Sequence, residues 1–150
     1  MSETEHEGGC LCGRVRYLAR KPLRAVVTCH CRQCQRVHGG PAGFAAVVQD
    51  GLRLVEDAGL GWYGSSPGVE RGFCRSCGAS LFWRRAGSGC ISVTAGSLDP
   101  PTGLRTAGHI HAASAGDWYR IADGLPQFAG DDGGALGSEA GSACSPSSKR

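Results

Sequence analysis

Three short segments, Cys10-Leu11-Cys12, Cys29-His30-Cys31-Arg32-Gln33-Cys34 and Cys74-Arg75-Ser76-Cys77, gather seven of the chain's nine cysteines. Thiolates crowded this closely suit one ion collecting several soft ligands. A disulfide framework would spread its cysteines, because bridges gain most by closing long loops. Metal is therefore the favoured use of these thiols, over a disulfide scaffold or incidental buried cysteines.

The first and third groups both end in Cys-Gly, as Cys12-Gly13 and Cys77-Gly78. Glycine at that point supplies the positive φ of a tight knuckle whose backbone N–H groups turn toward a bound thiolate. Cys10, Cys12, Cys74 and Cys77 together offer four thiolates, the donor set of a closed structural zinc site. The middle group, Cys29, Cys31 and Cys34, offers three, with no glycine after Cys34. Three protein ligands with one exchangeable position is the pattern of a catalytic zinc. The alternative is a closed site completed by His30, His38 or Cys90, although His30 stands between two ligands and would point away from their metal.

Three thiolates outweigh the charge of a zinc dication. Such a site is a weak Lewis acid, better suited to holding a soft substrate thiolate than to making hydroxide. Arg14, Arg16, Arg32 and Arg36 lie near the cysteine groups in sequence and offer guanidinium partners for the carboxylates of an anionic thiol, or else form a solvated basic face. For proton transfer the candidates are His30, His38 and His109.

The elements that must position these residues read as short β-strands. Arg14–Leu18 and Leu52–Val55 alternate in the period of two expected of a strand with one buried face. Ala25–Thr28 and Phe44–Val48 read as more fully buried strands, and Ser80–Trp83 and Ile91–Thr94 add two more. Cys31–His38 alone looks helical, about two turns long. The expected fold is mainly β and mostly antiparallel. Aromatics are 7% of 150 residues and glycines number 25, thin material for a large core, so the cysteine sites must help hold it.

From Gly130 the composition shifts to Gly, Ser and Ala, which predicts a disordered tail over 130–150, with Cys144 a free thiol inside it. Residues 1–7 should fray, leaving 8–129 as the folded zinc domain. The acidic start, Met1–Glu7, lacks the apolar stretch of a secretory signal, and Phe44–Val48 is the longest apolar run. A cytoplasmic protein without membrane association is expected. The net charge of +3 and the scattered arginines, without interleaved aromatic platforms, argue against nucleic acid.

With these residues in place, the chain resembles the glutathione-dependent formaldehyde-activating enzymes, the GFA/CENP-V zinc domain. The likeness lies in Gly8-Gly9-Cys10-Leu11-Cys12-Gly13-Arg14-Val15-Arg16-Tyr17, in Cys29-His30-Cys31-Arg32-Gln33-Cys34-Gln35-Arg36 and in Arg71-Gly72-Phe73-Cys74-Arg75-Ser76-Cys77-Gly78-Ala79-Ser80-Leu81. Gly96-Ser97-Leu98-Asp99, His109-Ile110 and Asp123-Gly124-Leu125-Pro126 continue it. The resemblance implies a β-tent of small antiparallel sheets around two zinc ions per chain. In it Cys10, Cys12, Cys74 and Cys77 hold the structural zinc, and Cys29, Cys31 and Cys34 the catalytic one. It also implies a carbon–sulfur lyase that joins glutathione and formaldehyde as S-hydroxymethylglutathione. Gly39-Gly40-Pro41-Ala42-Gly43-Phe44 departs from the family's usual run there, so no glutathione-contact residue is carried over. Two functions follow as expectations: an enzyme adding a zinc-bound thiol to formaldehyde or a similar small electrophile, or a non-catalytic module with two structural zincs that presents a surface to a protein partner.

Overall fold

The computed structural model describes residues 3–140 and 144. Ten strands form two sheets. The smaller has the order β1-β2-β5, with β1 spanning Glu5–Gly9, β2 Arg16–Arg20 and β5 Leu52–Glu56. The larger has the order β10-β3-β4-β9-β8-β7-β6. Its strands are β3 (Arg24–Cys29), β4 (Ala42–Val48), β6 (Leu60–Ser66), β7 (Val69–Cys74), β8 (Ser80–Arg85), β9 (Cys90–Thr94) and β10 (Thr106–Ile110). The fold is mainly β, as expected, and every pairing is antiparallel except β10 with β3.

Strand β4 explains why Phe44–Val48 reads as a continuous apolar run. Ala45 and Val47 enter one core with Tyr17, Leu81, Phe82, Ile91 and Val93, while Ala42 and Phe44 on the opposite face enter a second core with Val27, Cys29, Cys34 and Ile110. Side chains alternate across a strand, so a strand buried on both faces must be apolar throughout. The first core is tied by an edge-on contact of Tyr17 and Phe82, ring centroids 5.2 Å apart. The second carries the middle cysteine group.

The single α-helix among the described residues, α1 (Arg32–His38), follows β3 directly. Cys31 caps it, its sulfur accepting from the Cys34 backbone N–H at 3.3 Å, and Gly39 ends it in the left-handed conformation at φ 79°. No helix of the described residues is long and apolar enough to cross a membrane.

Several expectations are corrected. Residues 5–7 do not fray: they belong to β1, which pairs with β2, and His6 is buried. Strand β5 has no fully buried residue: Leu54 and Val55 are exposed, and Leu52, half-buried, packs against the first core. The chain after Gly130 is not an unpacked tail where it is described. Leu136 is buried in the second core, and the carboxylate of Asp132 caps the turn by accepting from the Gly134 and Leu136 N–H groups. Cys144 is not a free thiol: it is disulfide-bonded to Cys90 at the start of β9, with a Cα separation of 6.0 Å. One leucine and one covalent link anchor a segment whose composition alone predicts disorder. The rest of 141–150 lies outside the described residues.

Candidate metal centres and the cavity beside them

The sulfurs of Cys10, Cys12, Cys74 and Cys77 all lie within 4.8 Å of one another. Two matching knuckles bring them there. Between β1 and β2 the Cys10 N–H donates to the Val15 carbonyl at 3.0 Å, and between β7 and β8 the Cys74 N–H donates to the Ala79 carbonyl at 2.9 Å. Gly13 at φ 83° and Gly78 at φ 80° make the turns, as the Cys-Gly pairs predict. The Val15 N–H points at Cys10 Sγ, 3.2 Å away. In the second knuckle the Ala79 N–H donates to Cys77 and pulls its thiol down to about 6. Gly59 joins the knuckles: its N–H donates to the Arg14 carbonyl and its carbonyl accepts from the Arg75 N–H.

The spacing fits a tetrahedral metal. Zinc–sulfur bonds of about 2.3 Å place ligand sulfurs about 3.8 Å apart on the edge of a tetrahedron. Cys10–Cys12 and Cys12–Cys74 are each 3.7 Å apart. That is too long for a disulfide and matches the edge of a tetrahedron of zinc-bound sulfurs. No further His, Asp or Glu among the described residues joins the group.

Cys29, Cys31 and Cys34 form the second group, again with sulfurs within 4.8 Å of one another. Cys29 ends β3, Cys31 caps α1 and Cys34 lies in its first turn, so one strand-to-helix junction supplies all three. Their protonation is divided. Hydrogen bonds from the Cys29 and Cys34 thiols, joined by the Cys34 N–H, hold Cys31 far below the ordinary thiol range, to about 2. The Cys31 thiolate in turn pushes the Cys29 thiol up. One thiolate shared by two thiols is what such a trio does alone; three thiolates in so small a volume require a cation.

None of the three candidate closing ligands reaches this group. His30 Nε2 pairs with His109 Nδ1 at 2.8 Å, and His109 Nε2 with the Asp123 carboxylate at 2.7 Å, so both imidazoles are engaged in a buried chain. His38 lines a separate cleft of about 610 Å³ on the Cys10 side. Cys90 is bound to Cys144. Instead the group opens on a cavity of about 260 Å³, walled by Phe44, Val69, Arg71, Trp83, Arg85, Ile110 and His111 among others.

The four arginines singled out by sequence proximity do not line this cavity. Arg16 forms a two-pronged pair with Asp99, Arg32 donates to Gln35 Oε1 at 2.8 Å, and Arg14 and Arg36 are exposed. The arginines that do line it, Arg71 and Arg85, come from β7 and β8. Arg71 Nη2 donates to Gln33 Oε1 at 2.9 Å and lies 3.9 Å from Cys34 Sγ. His30, His38 and His109 are likewise absent from its wall, and His111 stands there in their place. His111 adopts a left-handed backbone, φ 55°, rare for a residue with a side chain. Strand alternation in Val69-Glu70-Arg71 and Trp83-Arg84-Arg85 was the signal for the arginines; nothing in the sequence marks the His111 turn.

The sequence model of the family "Glutathione-dependent formaldehyde-activating enzyme" matches residues 5–114. The chain belongs to this family. It is also 32% identical, over 79 residues, to an uncharacterized lyase of Schizosaccharomyces pombe, a match spanning 53% of this chain and 57% of that protein. A crystal structure of a Rhodobacter sphaeroides protein aligns with a TM-score of 0.49 at 23% identity, covering 67% of this chain and 97% of that one.

Proposed function

We propose that this member of the family is a zinc-dependent carbon–sulfur lyase-type enzyme, which binds a thiol such as glutathione and adds it to formaldehyde or a similar small electrophile. The observation that carries the reading is the three-sulfur group, which opens on a cavity with no fourth protein ligand among the described residues. Cys29, Cys31 and Cys34 would hold the catalytic zinc, and Cys10, Cys12, Cys74 and Cys77 a structural one. Zinc in the three-sulfur site supplies a Lewis acid that keeps a substrate thiol ionised at neutral pH.

The chain's own residues then do three things. The Cys31 cap and the Cys34 N–H fix the sulfurs on the rigid start of α1, so the cavity has a defined floor. Phe44, Val69, Trp83 and Ile110 exclude water from the approach of thiol to carbonyl. As the sulfur–carbon bond forms, the carbonyl π pair moves to oxygen, which takes a proton from water or from the cavity-lining His111 imidazole. Membership of the family and a lyase-named relative support the reaction class.

Cobalt in place of zinc tests the reading. Glutathione should strengthen the sulfur-to-cobalt charge-transfer band, and S-methylglutathione should leave it unchanged, because carboxylate contacts do not alter the sulfur count. No response to saturating thiol would instead support a non-catalytic module with two structural metals.

A further inference from the structure

We propose that Arg71 and Arg85 form a carboxylate subsite beside the three-sulfur site, so that one of the two molecules reacting there is a short acid whose carboxylate lies within a bond or two of its reacting atom. Arg71 pairs across the strands with Trp83, and Val69 with Arg85. Residues two apart on a strand share a face, so both guanidiniums and Trp83 project to the same side of the sheet, the side of the cavity. Glu70 and Arg84, an ion pair at 3.0 Å, occupy the opposite side.

Arg71 is 5% exposed, and its Nε is buried without a hydrogen-bond partner, as is the Nε of Arg85. A buried guanidinium keeps its charge, and a donor left unmatched there is costly unless a ligand completes it. Its Nη2 edge is already used by Gln33 Oε1 and faces Cys34 Sγ, so the remaining donors are those left for an incoming oxygen. The other charged or titratable groups on this wall are the three cysteine sulfurs, His111 and the exposed Asp131 at the rim. The Cys34 sulfur is only 3.9 Å from Arg71 Nη2. A carboxylate seated on this guanidinium therefore lies beside the three-sulfur site where a substrate thiol would be held, which suits a mercapto acid or an aldehyde bearing its carboxylate on the carbonyl carbon. Glutathione separates its sulfur from either carboxylate by several bonds and would have to fold to satisfy Arg71.

This inference rests on the thiol reading of the three-sulfur site, and the test separates the two. Zinc-loaded protein is titrated calorimetrically, with tryptophan fluorescence as a second signal, using mercaptoacetate against 2-mercaptoethanol and glyoxylate against glycolaldehyde. At least tenfold tighter binding of one acid over its neutral counterpart is expected, and the pair that shows it tells whether thiol or electrophile carries the carboxylate. The preference should fall severalfold in Arg85→Gln, a half-buried position that leaves the Arg71 contacts intact, and to about unity in Arg71→Met if that variant folds. Equal binding of acid and neutral partner in both pairs, or a preference unchanged in Arg85→Gln, overturns the subsite. If thiols enter the cobalt coordination without any acid preference, the thiol reading stands and the subsite fails. If glyoxylate binds through Arg85 while no thiol enters, the subsite stands and the thiol reading fails.

Discussion

Replacing Gly59 by Ala perturbs the four-sulfur site without touching a ligand. A Cβ built on Gly59 meets Cys74 Sγ at 2.9 Å and Arg14 Cβ at 3.0 Å, inside the 3.5–4.0 Å of ordinary contact. Cys74 has no room to retreat. It is fully buried, and Gly59 is bonded through its N–H to Arg14 and through its carbonyl to Arg75, so the Gly59 backbone is held by both knuckles. Overpacking of this kind costs about 1–3 kcal/mol. At about 2–4 °C per kcal/mol for a chain of this size, the melting temperature should fall by about 2–12 °C. Because the strain falls on the sulfur cage, the zinc-loaded variant should also release one metal equivalent to a chromophoric chelator faster than the zinc-loaded parent. Gly64→Ala on β6, the strand that begins just after Gly59, where an added Cβ meets nothing within 4 Å, is the control and should melt within about 1–2 °C of the parent. Equal melting and equal zinc release for the two variants would refute the claim that Gly59 couples the knuckles.

Cys77→Ser should lose one zinc equivalent and become protease-sensitive, whereas Cys31→Ser should lose the other equivalent at a smaller cost in melting temperature; elemental analysis and thermal melts check both. Truncation after Gly130 should lower the melting temperature, because it removes the buried Leu136 and the Cys90–Cys144 link. Cys144→Ser alone should destabilise by up to about 4 kcal/mol in the chain-entropy account, and only under oxidising conditions. Tyr17 is buried against Ser97, and burial raises its hydroxyl to about 12. The unfolded chain therefore loses that proton first, and stability should fall as pH rises from about 10 to 12, by roughly 3 kcal/mol in total, a component absent from Tyr17→Phe in alkaline melts.

The clustering of both cysteine groups was legible because the close spacing of the cysteines within each segment of the chain already limits how far apart their sulfurs can lie. The Cys-Gly pairs predicted the positive φ of Gly13 and Gly78, and the helix expected over Cys31–His38 is α1. The six expected strands correspond to β2, β3, β4, β5, β8 and β9. Strands β1, β6, β7 and β10 escaped notice for one reason: Glu5–Gly9, Leu60–Ser66, Val69–Cys74 and Thr106–Ile110 carry glycine where a β-branched or aromatic residue would signal a strand. The cavity wall was hidden by distance. Arg71 and Arg85 lie far along the chain from Cys34, and only the β7–β8 pairing brings them to it. The Cys90–Cys144 link was missed because glycine and serine around Cys144 argue for disorder, and composition cannot show that one covalent bond and one leucine outweigh it.

The two sulfur groups divide the labour of the fold. Cys12 and Cys74 are 62 positions apart and meet only when the β1–β2 and β7–β8 turns are already adjacent, so an ion there reports and reinforces the assembly of two sheets. The other three sulfurs come from a single junction and demand nothing of the distant chain. What that junction lacks is a wall, and β7 and β8 supply it: the same two strands that end in the Cys74–Cys77 knuckle carry Arg71, Trp83 and Arg85. Arg71 stands on β7 only three residues from Cys74, so strain at the four-sulfur site has a short covalent route to the cavity wall. A change such as Gly59→Ala should then disturb acid binding at the open site, although no residue of that cavity has been altered.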